Sequence, residues 1–203
     1  MKIQSWSAAP AASPVRGAHS AVPSNLDTVD WSGASLPPDT RPLGERARQY
    51  LVDKARDVAT VVAVSLLNPG TLLQNAVSLG ISLLTTGDRR TGQYGFALYE
   101  NCRGLGRLIG QAVLDTSAFT PGPLGFAAGR LSQRVMDHEN QHALQSLVTG
   151  PLYYPGLAFE AVRAGLKCGF NSDCIHDISV FELDAKRAEK VGLHFPFIPW
   201  PTP

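Results

Sequence analysis

The chain has 203 residues, 44% of them hydrophobic and 17% charged, which is enough for one domain with a real core and a tail. Its formal net charge is +1 and its Lys and Arg residues are scattered, so it lacks the basic stripe that nucleic-acid binding needs. Three cysteines are too few for a disulfide framework.

Residues 1–44 are rich in Ala, Ser and Pro, with no apolar run after Lys2 of the kind a secretory signal peptide carries. They read as a disordered leader, a composition also compatible with export by a specialised bacterial secretion machine. From residue 46 to 67, Tyr50, Leu51, Ala55, Val58, Val62 and Leu66 recur at helical spacing. No charged residue lies between Asp57 and Asp88, and about 20 apolar residues suffice to span a bilayer. Asn68-Pro69-Gly70 divides that run, however, and Gln74, Asn75 and Ser78 interrupt its second half. The reading is an apolar hairpin of two buried helices over 46–86, with membrane association through 58–87 as the alternative.

Residues 87–92 read as a polar turn. The aromatic stretch Tyr94–Tyr99 suits a strand, with residues 108–114 as its partner. Residues 94–100 are then either a binding edge for an extended substrate or an ordinary core strand. Thr120-Pro121-Gly122-Pro123 breaks the chain before a helix over 131–149, which Gly150-Pro151 ends. Further helices are expected over 157–166 and 178–191, separated by a polar loop. Within that loop Cys168 and Cys174 either close a small disulfide loop or stay as thiols. A zinc knuckle of Cys168, Cys174 and His176 is a weaker option, because no second close-spaced pair exists. Residues 193–203 form an extended, Pro-rich tail.

The helix over 131–149 carries His138-Glu139-Asn140-Gln141-His142. Residues at i and i+4 lie one above the other on a helix, so both imidazoles can reach a single ion. A Zn²⁺ held there would lower the pKa of a bound water from about 15.7 to about 7, and Glu139 is placed to take its proton. A catalytic zinc needs a third protein ligand. The candidates are His176, Glu182, Asp184 and His194. Glu182 is preferred, because its helix can pack antiparallel beside the first and Ala185 permits close approach. Against it, Ser179-x-x-Glu182 is also a capping box. Asp184 points away from Glu182 around the helix and suits a role in orienting a ligand histidine. Tyr153 or Tyr154 is a candidate hydroxyl donor near the site, or a packing residue.

The run His138-Glu-Asn-Gln-His142-Ala-Leu-Gln145-Ser146, then Gly150-Pro-Leu-Tyr153, then Phe181-Glu-Leu-Asp184-Ala185, resembles a group of bacterial zincin-like metallopeptidase domains. Members read approximately His-Glu-x-Gly-His-x-x-Gln-Ser, Gly-Pro-Leu-Tyr, and a helix with Glu followed closely by Ala and Asp. Such domains occur alone and at the ends of bacterial toxin proteins. The resemblance covers about residues 94–192. It implies His138, His142 and Glu182 as zinc ligands, Glu139 as general base, and a peptide or protein as substrate. Gln141 departs from it, standing where the group has glycine, so a bulkier side chain must fit between closely packed helices.

The expected fold is a mainly helical α+β, zincin-like domain over 45–192. Its apolar hairpin would occupy 46–86 and its catalytic part 94–192, with a small sheet beside the motif helix. The expected function is zinc-dependent peptide hydrolysis. The alternative is a membrane-interacting or partner-binding effector whose metal site is structural or vestigial.

Overall fold

In the computed structural model a four-stranded sheet packs a helical hairpin on one face and the helix that carries the motif on the other, and the two meet past one end of the sheet, where Val64 packs with Ala143. The structure describes residues 40–114, 118–169 and 171–197; residues 1–39 of the expected leader and the end of the tail lie outside them. The fold is mainly helical α+β with a small mixed sheet.

Strands β1 (Thr85–Thr91), β2 (Ala97–Gly104), β3 (Ala118–Phe119) and β4 (Leu124–Ala127) take the order β1-β2-β4-β3. The β2–β4 pair is parallel and the other two are antiparallel. Side chains alternate across a strand, and β2 uses both faces. Ala97 and Tyr99 meet Val61 and Ile81 of the hairpin, together with Leu124 and Phe126. Leu98 packs instead with Leu131 and Met136, at the motif helix.

The hairpin consists of α1 (Leu43–Leu67) and α2 (Leu72–Leu83), joined by a 3₁₀ turn at Pro69–Thr71. Asn68 caps that turn by accepting from the Gly70 amide, and its own amide donates to the Leu147 carbonyl. Gln74 donates to the Gly150 carbonyl, so the hairpin's turn is fastened to the end of the motif helix.

The two helices are present as expected, but their faces are reversed. Asp53, Lys54, Asp57, Gln74, Asn75, Ser78 and Ser82 are buried, whereas Leu51, Val58, Val62 and Leu66 are 66%, 43%, 50% and 79% exposed. A buried polar network holds this phase. Lys54 Nζ donates to Ser82 Oγ, the Thr85 carbonyl and Tyr99 Oη at 2.9–3.0 Å. Asp57 accepts from Tyr99 at 2.6 Å, from Arg89 Nε at 2.8 Å, and from Ser82. Burial pulls the Lys54 ammonium below its ordinary range despite the neighbouring Asp57, and burial together with Asp57 raises the Tyr99 phenol.

Three further expectations change. Residues 87–92 are not a turn: all but Gly92 belong to β1, whose Arg89 and Arg90 each pair with a buried acid, Asp57 on one face and Glu100 on the other. Of residues 94–100, those from Ala97 on lie in β2, which is paired on both sides and is no edge, whereas Tyr94 belongs to a 3₁₀ turn at Gln93–Gly95. Residues 108–114 are not a strand. Gly104, at φ 77°, ends β2 in a conformation that L side chains rarely adopt, and a β-carbon there would collide with the Leu84 carbonyl. Helix α3 (Leu105–Ile109) and a π-turn over Gly110–Leu114 follow, placing Leu105 and Ile109 one turn apart on the hairpin-side core.

After β4 come α4 (Gln133–Thr149), α5 (Tyr153–Cys168), α6 (Ser172–Ile178) and α7 (Val180–Val191). Cys168 and Cys174 form a disulfide between α5 and α6, which removes the zinc-knuckle option.

Candidate metal centre

Ser132 starts α4 by accepting from the Val135 amide, and the helix runs unbroken through the motif. His138, His142 and Gln145 therefore lie on one face (i, i+4, i+7). Contacts across to α7 run in opposite directions along the two helices. Gln145 reaches the Phe181 carbonyl, the two histidines face Glu182, and His138 also reaches Glu189. The pair is thus antiparallel, and Ala185 and Ala188, both fully buried, let the backbones approach.

Ser179 makes no side-chain capping bond, so the capping-box alternative for Glu182 does not form. The Glu182 carboxylate turns instead to the imidazoles, with Oε2 3.5 Å from His138 Nε2 and Oε1 3.6 Å from His142 Nε2. One ligand atom from each of the three lies within 4.8 Å of the others. His176 Nδ1 is 3.2 Å from Glu182 Oε2, beside the group rather than within it. Asp184 and His194 pair with each other at 3.1 Å on another side of α7.

Hydrogen bonding decides which imidazole nitrogens face inward. Gln145 Nε2 donates to the Phe181 carbonyl and to Asp184 Oδ2, so its Oε1, 2.8 Å from His142 Nδ1, must accept. His142 therefore donates through Nδ1 and turns Nε2 toward His138 and Glu182. His138 Nδ1 donates likewise to Glu189 Oε1 at 2.9 Å, and Arg134 holds that carboxylate. The two Nε2 atoms are 3.2 Å apart. Two lone pairs at that distance repel unless a cation, either a proton or a metal ion, lies against them.

A metal fits the dimensions. Two zinc–nitrogen bonds of about 2.05 Å at a tetrahedral angle separate the nitrogens by about 3.3 Å. A proton shows the same demand: burial opposes charging His138, but bonds to Glu182 and Glu189 outweigh it and raise its pKa to about 10. Glu182 is held well below the usual carboxylate range, the adjacent imidazoles overcoming the burial that works against its charge.

Glu139 sits beside this group, buried, with Oε2 accepting from Thr120 Oγ1 at 2.6 Å. Tyr153 Oη is 3.5 Å from the Thr120 carbonyl and Tyr154 Oη donates to the Pro121 carbonyl at 2.7 Å, so both hydroxyls tie the β3–β4 loop to α5. Burial raises both phenols, Tyr154 to about 12.

Gln141 fits between the closely packed helices. It is fully buried, donates to Asp184 Oδ2 and the His194 carbonyl, and accepts from the His194 amide, so its bulk joins α4 to α7 and to the start of the tail. Thr120, Gln145 and Glu189 are the site residues whose roles sequence reasoning missed. The spacings Gln145 = His142+3 and Glu189 = Glu182+7 are local signals for two of them. Comparison of the chain with protein families, curated proteins and solved structures finds no match.

Proposed function

We propose that the chain is a zinc-dependent peptidase. The observation that carries this reading is the pair of Nε2 atoms 3.2 Å apart, each backed by a fixed Nδ1 bond and faced by the Glu182 carboxylate. His138, His142 and Glu182 would hold the ion. When bound, Zn²⁺ supplies Lewis acidity that polarises a scissile carbonyl and acidifies a water.

Glu139 is the proton carrier. Thr120 occupies one of its carboxylate oxygens, and the other would take the proton from the attacking water and deliver it to the leaving amine. Arg134, Glu189, Gln145 and Asp184 position the imidazoles without touching the reacting atoms. The resemblance to zincin-like domains supports the same assignment of roles.

The test is Glu139→Gln with a mixed peptide library read by mass spectrometry. Hydrolysis should fall by at least about a hundredfold while metal content stays that of wild type. Equal cleavage by both proteins would refute the mechanism. A second reading, in which the ion only fastens α4 to α7, is favoured by the low exposure of the site, with His142 8% exposed. It predicts bound metal, no cleavage by wild type, and a loss of thermal stability on chelation.

A further inference from the structure

The outer face of the α1–α2 hairpin is unlike the rest of the surface. Every exposed residue from Leu51 to Leu84 is apolar, glycine or proline, with the single exception of Arg56. At the turn, Leu66, Leu67, Leu72 and Leu73 are 60–79% exposed. Beneath it Lys54, Asp57 and Ser82 point inward and are bonded to one another, to Arg89 and to Tyr99, so the hairpin cannot rotate to hide this face without breaking that network. Water-soluble chains seldom leave so continuous an apolar surface uncovered.

The chemistry of the face selects its occupant. A protein partner would be met by about one hydrogen bond per 100–200 Å² of interface, and among the exposed residues from Leu51 to Leu84 only Arg56 carries a side-chain donor. Hydrocarbon asks for none. No helix among the described residues is long and apolar enough to cross a membrane, so the fit is to a bilayer surface rather than its interior. The charges agree. At the α1 end opposite the turn, Arg46, Arg48 and Arg56 are exposed while Asp53 and Asp57 are buried, leaving Glu45 as that helix's one exposed acid. Arg48 lies one turn before Leu51 and Arg56 follows Ala55, so both flank the apolar stripe and can reach phosphate groups while their stems lie along lipid.

We propose that the α1–α2 hairpin is a membrane-docking face that lies flat on an anionic bilayer, its leucine-lined turn in the acyl region and its arginines at the headgroups. The inference uses none of the metal-site residues and stands apart from the peptidase reading.

Co-flotation of the full chain with vesicles tests it, using neutral phosphatidylcholine alone or mixed with anionic phosphatidylglycerol. Wild type should float with the anionic vesicles, and less so as salt is raised. The exposed pair Leu66→Asp and Leu73→Asp should reduce the bound fraction by at least about tenfold with unchanged circular dichroism. Arg48→Gln with Arg56→Gln should bring binding down to the level seen with neutral vesicles. Failure of wild type to float overturns the proposal, as does undiminished flotation of the leucine variant. A wild-type dimer by light scattering that the leucine variant converts to monomer, with no flotation, assigns the face to a second copy and also overturns it.

Discussion

Gln145 shows how much of the candidate centre depends on groups outside the His138, His142 and Glu182 cluster. Its amide has both donor bonds committed to α7, so its oxygen is left to accept from His142 and to fix that ring's tautomer. Asp184 stands behind it, also accepting from Gln141, His194 and the Phe197 amide, and these bonds hold its carboxyl below the usual range against the pull of burial. Asp184→Ala should therefore weaken metal affinity by about 10–100-fold, measured by competition with a chromophoric chelator, although residue 184 bonds to neither His138 nor His142. Protons compete with metal here. The His138 pKa is raised to about 10 without an ion, so uptake at neutral pH must expel about one proton, and affinity falls as pH is lowered. Calorimetry in two buffers of different ionisation enthalpy should show that release; buffer-independent heats would argue that His138 does not bind the ion. That His138, His142 and Glu182 come together was legible in the sequence, because i, i+4 geometry is local and Glu182 lies on a helix able to pack beside the first. Thr120, Glu189 and the role of Gln145 were not, because each acts only across an interface that folding creates.

At the scale of elements, the hairpin separates periodicity from orientation. The spacing of Leu51, Val58, Val62 and Leu66 correctly signals a helix, but the rule that an apolar stripe faces the core fails. What sets the phase is Asp57, three residues from Lys54 and meeting Arg89 from β1 and Tyr99 from β2, partners that no local pattern reveals. Removing Asp57 strands Arg89 and Lys54 in a buried setting, so Asp57→Ala should cost about 3–5 kcal/mol in denaturant unfolding. Leu51→Ser, on the outer face, should change stability by no more than about 0.5 kcal/mol. The reverse ranking would mean that the hairpin buries its other side. The sheet was legible only in part for a related reason. Polar β1 is held by ion pairs rather than alternation, and Gly104 turns what reads as a second strand into α3.

Across the whole molecule, the layers are fastened at their ends. Asn68 and Gln74 bind the hairpin's turn to the end of α4, and the tail's first residues close over Asp184. The Cys168–Cys174 bridge joins α5 to α6, the helix that brings His176 to Glu182. Closing so short a loop stabilises by about 2 kcal/mol on a chain-entropy estimate, and a Cys168→Ser, Cys174→Ser variant should unfold at correspondingly lower denaturant. Because His176 stands beside the ligand group, that variant should keep its metal.

The most direct measurement is elemental analysis of the full chain after metal loading and dialysis, for wild type beside His142→Ala and Glu182→Ala. Wild type should retain about one ion per chain and both variants almost none. A wild-type chain that retains no metal would contradict a metal centre altogether. Full retention by Glu182→Ala would contradict the ligand set and move the third position to His176.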